Sequence, residues 1–388
     1  MPPGAGIDVL PDEVLHQILG LVEAHESVRT CAVARRWRHL WKSATGLRII
    51  AGAGKFLGSV EKFCNFMDIL LRQRPGPPLH TCELTLAYFD QWISKQRYDP
   101  LVPTMVNAWF WHAVRCQVRV LRLRACWNDH LIIVPTFVTI DERPVDSRHL
   151  TMLELGGIVV NRRLLDFSNC PLLERLEFKS CDFDPDGDSR LRICAPSLVS
   201  LILDDIWGMA PMLESMPSLV KAIVANENSM EDCDEVECNC EFCRNSYSIG
   251  DDTGSNGSVL LKGLSEVKDL TLISVPEQYI FKKDLRWCPI FSKLKTLLLN
   301  EYWCVPDDFR ALVCILEHSP VLEKLTLELS SKKYRQQRER KGTLRPMEGS
   351  AAILEHLKII EVRCDAVDER ICKLTLFLCA FPIRLTLN

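Results

Sequence analysis

The chain has 388 residues, 47% hydrophobic and 25% charged, a composition typical of globular proteins and long enough for two domains or one elongated one. A formal net charge of −4 and an isoelectric point near 6.2 argue against a nucleic-acid partner, since chains that bind one are usually basic. No apolar run reaches the roughly 20 residues of a membrane span; the nearest candidate, residues 371–387, is interrupted by Lys373, Pro382 and Arg384. The opening MPPGAGIDVLP has neither the charged nor the apolar region of an export signal. The eighteen cysteines are therefore expected to stay free thiols in a reducing intracellular compartment, nucleus or cytoplasm.

The first elements lie within residues 10–43. Asp12 is placed to cap a helix in which Leu15, Ile18, Leu19 and Val22 recur at i, i+3, i+4 and i+7. A second helical run begins near Ser27 and carries Val28, Cys31 and Ala32 on one face. A third holds Trp37, Leu40 and Trp41 at the same spacing. A segment this short cannot close a core alone. Trp37 and Trp41 offer more apolar area than it can hide, so the expectation is a patch left bare for another subunit. The plainer reading is a helical hairpin docked on the rest of the chain.

The residues Leu10-Pro11-Asp12, Leu15, Ile18-Leu19, Val28-Arg29-Thr30-Cys31, Val33 and Arg35-Arg36-Trp37-Arg38-His39-Leu40-Trp41 resemble the F-box in its plant form. Two positions depart from that pattern: Ala34 stands where serine is usual, and Glu23 where a proline often closes the first helix. The resemblance implies a three-helix F-box over residues 7–50 that binds a Skp-type adaptor subunit, and through it a cullin. The implied contacts are Leu10, Pro11, Leu15, Ile18, Leu19, Val28, Cys31, Val33, Trp37, Leu40 and Trp41. Arg35, Arg36, Arg38 and Lys42 form a basic cluster suited to steering an acidic partner or simply to solvation.

Residues 51–117 read as a linker and a first, poorly regular repeat in which Leu84 and Leu86 hint at strand spacing. From there an apolar-x-x-apolar-x-apolar unit recurs. The copies are Val118-Leu121-Leu123, Leu150-Leu153-Leu155, Leu173-Leu176-Phe178, Leu198-Leu201-Leu203, a weak Leu219-Ala222-Val224, Val267-Leu270-Leu272, Leu294-Leu297-Leu299, Leu322-Leu325-Leu327 and Leu357-Ile360-Val362. Copies starting at Leu150, Leu173, Leu198 and Leu219 are 23, 25 and 21 residues apart, within the span of leucine-rich repeats. Each copy reads as a strand followed by a turn and a helical or irregular return. Stacked copies bury what one cannot, which predicts an α/β fold: an irregular leucine-rich-repeat solenoid over residues 118–345 with a curved parallel sheet. A doubly wound α/β domain is the rival, but no glycine-rich phosphate loop accompanies the strands. Cys126 and Cys181 fall where such repeats place a residue that satisfies turn backbone groups, and read as structural.

The phrases CPLLERLEF (170–178), APSLVSLIL (195–203) and FSKLKTLLL (291–299) resemble the leucine-rich region of plant F-box proteins. HLKIIEVRCD followed by ICKLTLFLCA, within residues 346–388, resembles their carboxy-terminal FBD region. Between the copies at Leu219 and Val267 lies an acidic insert, residues 226–258, with Cys233, Cys238, Cys240 and Cys243. Four thiols could ligate zinc, yet only Cys240 and Cys243 have good spacing and the surrounding carboxylates disfavour thiolate; a disordered loop with free thiols is the expectation, and no cofactor is called for. Residues 330–345 carry seven basic residues against Glu339 and read as a solvated loop, the rival being a nuclear-import or anion-binding segment.

No nucleophile, metalloprotease or phosphate-loop motif is present, so catalysis is not expected. The sequence thus points to a non-catalytic adaptor of a Skp-cullin-F-box ubiquitin ligase that holds an unidentified target protein on its repeats, with no nucleic acid or membrane involved. The alternatives are a leucine-rich-repeat scaffold outside any ligase, and a zinc protein centred on Cys233–Cys243.

Overall fold

The computed structural model describes residues 7–51, 60–74, 79–87, 101–126, 138–183, 190–214, 216–225, 260–274, 285, 288–304, 309–329, 356–364, 369–379 and 384–387. The chain divides into two compact units, Met1–Asp182 and Phe183–Asn388.

In the first unit, α1 (Asp12–Leu21) and α2 (Ala24–Arg29) are followed by 3-10 turns at Thr30–Ala32, Arg35–Arg38 and Leu40–Ser43. The expected three helices are therefore two α-helices and a run of tighter turns. Ala34, in extended conformation and without a side-chain acceptor, separates the turns at Thr30–Ala32 and Arg35–Arg38. The Trp37 and Lys42 amides donate three residues back, to Ala34 and His39. Two expected caps are also corrected. Pro11, not Asp12, precedes the first turn of α1, and Ser27 is buried inside α2, which starts three residues earlier.

Beyond these helices come β1 (Gly46–Ala51), α3 (Val60–Gln73), β2 (Thr81–Ala87), α4 (Leu101–Arg115), β3 (Val120–Cys126), β4 (Val138–Thr139), β5 (Met152–Gly156), β6 (Ile158–Val159) and β7 (Arg175–Lys179). Strands β1, β2, β3, β5 and β7 lie side by side, all parallel, in chain order. Period-two alternation sends two rows inward. Leu47, Cys82, Leu121, Leu153 and Leu176 form one, and Ile49, Leu84, Leu123, Leu155 and Phe178 the other; none is more than 4% exposed. The repeat thus begins earlier than its spelling shows, with Ala44-Leu47-Ile49 and Leu79-Cys82-Leu84. Residues 51–117 hold α3, which buries Phe63, Met67 and Leu70, and α4, which buries Val106, Trp109, Phe110 and Ala113.

The second unit begins with β8 (Arg192–Cys194), β9 (Ser200–Asp204), β10 (Met212–Glu214) and β11 (Lys221–Ala225). It continues through β12 (Asp269–Ile273), β13 (Thr296–Asn300), α5 (Arg310–Glu317), β14 (Lys324–Leu329), β15 (Ile359–Cys364), α6 (Glu369–Cys379) and β16 (Arg384–Leu387). Strands β9, β11, β12, β13, β14, β15 and β16 again pair in parallel and in chain order. Sequential order leaves no reversal point within either unit, which counts against the doubly wound rival. Leu201, Ala222, Leu270, Leu297, Leu325 and Ile360 make one buried row, and Leu203, Val224, Leu272, Leu299, Leu327 and Val362 the other. Although 48 residues separate the copies starting at Leu219 and Val267, β11 pairs directly with β12, Ala222 opposite Leu270. The acidic insert, the basic segment 330–345 and Cys233, Cys238, Cys240 and Cys243 lie outside the described residues.

Turns are closed by side chains. The Asn300 amide donates to the Ser274 carbonyl (2.7 Å) and accepts from its N–H (3.2 Å), and Trp303 Nε1 donates to the Leu272 carbonyl at 3.0 Å. Cys181 Sγ is buried and donates to the Leu155 carbonyl at 3.3 Å, the structural role expected of it; burial pushes its thiol up to about 12. The Cys126 side chain lies outside the described residues.

Candidate functional site

The amino-terminal segment sets two apolar stripes on α1. Leu15 and Leu19, at i and i+4, face inward and are at most 2% exposed. The helix packs by them against β1 and the Leu40–Ser43 turn. Contact with β1 is backbone-close: a Cβ on Gly20 would sit 2.6 Å from the Gly46 amide nitrogen, and one on Gly46 would collide with the Gly20 carbonyl. Glu23 continues this union through a parallel bridge to Arg48.

Arg36 explains why the opening Leu-Pro-Asp and the later Arg-Arg-Trp occur together. Its Nη2 donates to the Leu10 carbonyl at 2.6 Å and to the Asp12 carboxylate at 2.5 Å, with a second bond from Nε at 3.1 Å. The guanidinium therefore pins the start of α1 to the Arg35–Arg38 turn. A second arginine, Arg74, is buried just past α3; its two η nitrogens donate to the carbonyls of Trp41 (3.0 Å) and Ala44 (2.5 Å).

The expected bare tryptophan patch is not present. Trp37, Leu40 and Trp41 are 5%, 6% and 5% exposed; the Leu40–Ser43 turn packs against α1 and α2, the Arg35–Arg38 turn against its neighbouring turns, and Arg74 bonds the Trp41 carbonyl. The tight 3-10 geometry turns these side chains inward, and Arg74, thirty-three residues beyond Trp41, seals the carbonyls beneath them. Leu15 and Leu19 are likewise core residues. Of the other expected contacts, Pro11 and Val33 are exposed, while Leu10, Ile18, Val28 and Cys31 are half-buried. Cys31 Sγ donates to the Arg38 carbonyl at 3.3 Å.

The apolar surface that does remain includes residues the sequence reading passed over. Val14 and Leu21 are 37% and 77% exposed and share a helical stripe with Pro11 and Ile18; Val33 is 74% exposed. Ile7 and Val9 add exposed apolar side chains just before α1. The signal for the stripe was present: Pro11, Val14, Ile18 and Leu21 repeat at i, i+3, i+7 and i+10, alongside the more conspicuous leucine stripe. Arg35, Arg36 and Arg38 are exposed on the same segment, while Lys42 lies 5.6 Å over the Trp41 ring.

Residues 7–46 match the family model of the F-box domain. The chain carries an F-box. Over most of its length it is homologous to Arabidopsis thaliana proteins named F-box/FBD/LRR-repeat proteins. One is 23% identical over 376 residues, covering 83% of this chain and 76% of its own; another is 24% identical over 421 residues, covering 95% and 87%. A third so named is 30% identical over 101 residues, 26% of this chain and 23% of its own. Among the described residues no helix is long and apolar enough to cross a membrane.

Among the described residues, two cysteine–histidine pairs lie outside the F-box. Cys116 Sγ sits 3.4 Å from His112 Nε2, but burial pushes the thiol up and the imidazole down, so this pair stays neutral and is a poor nucleophile. The second pairs Cys314 with His318, next to Cys288. The hydrogen bond from Cys288 outweighs burial and, with the neighbouring His318, brings the Cys314 thiol down to about 7.

Proposed function

We propose that this chain is a substrate adaptor of a Skp-cullin-F-box ubiquitin ligase. The outer stripe Pro11, Val14, Ile18 and Leu21, with Val33 and the half-buried Leu10, Val28 and Cys31, docks on a Skp-type subunit and through it on a cullin. Each parallel ladder is a run of leucine-rich repeats, the repeats hold a target protein, and residues 346–388 form an FBD-like end. The adaptor is non-catalytic. It acts by proximity, raising the target's concentration near a ubiquitin-charged enzyme held elsewhere in the assembly. The observation that carries this reading is an F-box match over residues 7–46 whose first helix keeps an apolar stripe exposed after the chain's own core is filled.

The outward rows of the two ladders differ, which bears on where a target docks. In the first unit Arg48, Glu83, Arg122, Glu154 and Glu177 face one another across consecutive strands; Arg48 pairs with Glu83 and Arg122 with Glu154, while Glu177 is met by Lys179. In the second unit the corresponding row runs through the half-buried Ile202, Ile223, Thr271 and Leu298 to the buried Thr326 and the half-buried Glu361. Its stretch from Ile202 to Leu298 carries no charge, and the target-binding half of the proposal rests on it.

Co-purification of the full chain with a Skp-type subunit tests the docking. Val14→Asp with Leu21→Asp, both at exposed positions, is expected to abolish recovery of the subunit while leaving circular dichroism and the melting temperature unchanged. Changing Trp37 and Leu40 is no substitute, because both are core residues whose loss unfolds the segment. A second reading, a repeat scaffold with no ligase role, is favoured by the burial of Trp37, Leu40 and Trp41 within the chain itself. Recovery of the subunit unchanged by the double variant, or no recovery by the native chain, supports that scaffold instead.

A further inference from the structure

We propose that Cys288, Cys314 and His318 form a binding site for a thiophilic divalent metal ion of the zinc class. Two thiol sulfurs and a ring nitrogen, one from each residue, all lie within 4.8 Å of one another in the second unit. Cys314 and His318 are separated by one helical turn at the carboxy end of α5, so their side chains share a face. Cys288 comes from the segment leading into β13. The two segments are already stitched together beside the cluster, where the Phe291 amide donates to the His318 carbonyl at 2.7 Å.

Ligand atoms on a tetrahedral zinc, at about 2.0–2.3 Å from the ion, stand about 3.4–3.8 Å from each other. The cluster therefore reaches metal-binding geometry by a contraction of about 1 Å, within what half-buried side chains allow. His318 is prepared for the task. Its Nδ1 lies 2.7 Å from the Cys314 carbonyl, which only accepts, so Nδ1 carries the proton and Nε2 keeps its lone pair. The bonds of the thiols to two backbone carbonyls are long: Cys314 Sγ meets the Leu285 carbonyl at 3.5 Å and Cys288 Sγ the Pro289 carbonyl at 3.8 Å. Two thiolates cancel the charge of a divalent ion, and sulfur with imidazole selects zinc-class ions over calcium or magnesium. The fourth position is left to water. Metal binding releases the two thiol protons and clamps the segment before β13 onto α5. The site is separate from Cys233, Cys238, Cys240 and Cys243 in sequence.

The test uses the full chain with those four insert cysteines replaced by serine, purified under reducing, metal-free conditions and then loaded with Zn²⁺ or, as a spectroscopic probe, Co²⁺. One equivalent of zinc and a thiolate-to-cobalt charge-transfer band are expected. Both should vanish in Cys288→Ser/Cys314→Ser, and the band should shift in His318→Gln, with circular dichroism unchanged. Should the serine variants fail to fold, alkylation of the parent chain decides: zinc should slow the modification of Cys288 and Cys314 together and leave Cys364 and Cys372 unaffected. Failure to retain metal, an equivalent of zinc retained without the two cysteines, alkylation rates indifferent to zinc, or a Cys288–Cys314 disulfide in place of metal would each overturn the proposal.

Discussion

Arg36 stands for the positions where one side chain decides how distant parts of the sequence meet. It ties the Leu10 carbonyl and the Asp12 carboxylate to a turn two dozen residues later. Because the pair is exposed, Arg36→Ala is expected to lower stability by about 0.5–1.5 kcal/mol, with Asp12→Asn costing less because the carbonyl bond survives; urea unfolding reads both. Gly157 is a stricter case. It has φ +67°, and a Cβ there would collide with the Ala125 carbonyl of the neighbouring strand. Gly157→Ala is expected to cost at least about 2 kcal/mol, through left-handed strain and the collision together, measured as a lowered melting temperature. Neither role was legible in the sequence. Arg36 stands in the sequence as one of four basic residues suited to steering an acidic partner or to solvation, and nothing in the spelling singles out Gly157.

Among elements, legibility tracked the size of the apolar residues. Wherever a copy was written in leucines, as in Leu150-Leu153-Leu155, the strand lies at the expected register and its residues are fully buried. Ala44-Leu47-Ile49 is hidden in the sequence and Leu79-Cys82-Leu84 shows only in the Leu84–Leu86 spacing, because alanine and cysteine fill inward positions without announcing a strand. Helix α3 was legible from Phe63, Met67 and Leu70 at i, i+4 and i+7, but its segment resembled a linker. The 3-10 turns could not be read, since Trp37, Leu40 and Trp41 fit an α-helical face equally well and only the packing of Arg74 and α1 distinguishes the two. The charge ladder of the first unit also follows from register alone. Glu154, whose side chain is 1% exposed, receives Arg124 at 2.7 and 2.8 Å and Lys179 at 3.1 Å. Burial pushes its carboxyl up, but these bonds and charges outweigh it and hold it below the usual range. A depressed folded pKa stabilises above the unfolded value, about 4.3, and this contribution is lost as pH falls through the folded value. Glu154→Gln is therefore expected to cost about 1–3 kcal/mol at neutral pH and to flatten the acid limb of a stability-against-pH curve. An unchanged acid limb would remove Glu154 from that role.

At the scale of the molecule, each unit is a parallel ladder laid down in chain order, so long excursions between neighbouring strands leave the pairing intact. The β11–β12 register holds across the acidic insert, and the β14–β15 register across the basic segment. Shortening residues 226–258 to a few glycines and serines is expected to leave the melting temperature within a few degrees, because loop length enters only logarithmically. The partner surface is the less legible half of the account. Sequence similarity located the F-box correctly, but the large aromatic residues that drew attention in it serve the chain's own core. The exposed stripe of the first helix is made of Val14 and Leu21 with the half-buried Ile18, ordinary aliphatic residues whose exposure only packing reveals. Calorimetric titration of a purified Skp-type subunit into the full chain tests the adaptor reading most directly. One-to-one binding with a negative heat-capacity change, lost in Val14→Asp/Leu21→Asp, is the predicted result. A well-folded monomer that gives no binding heat at any temperature would contradict it.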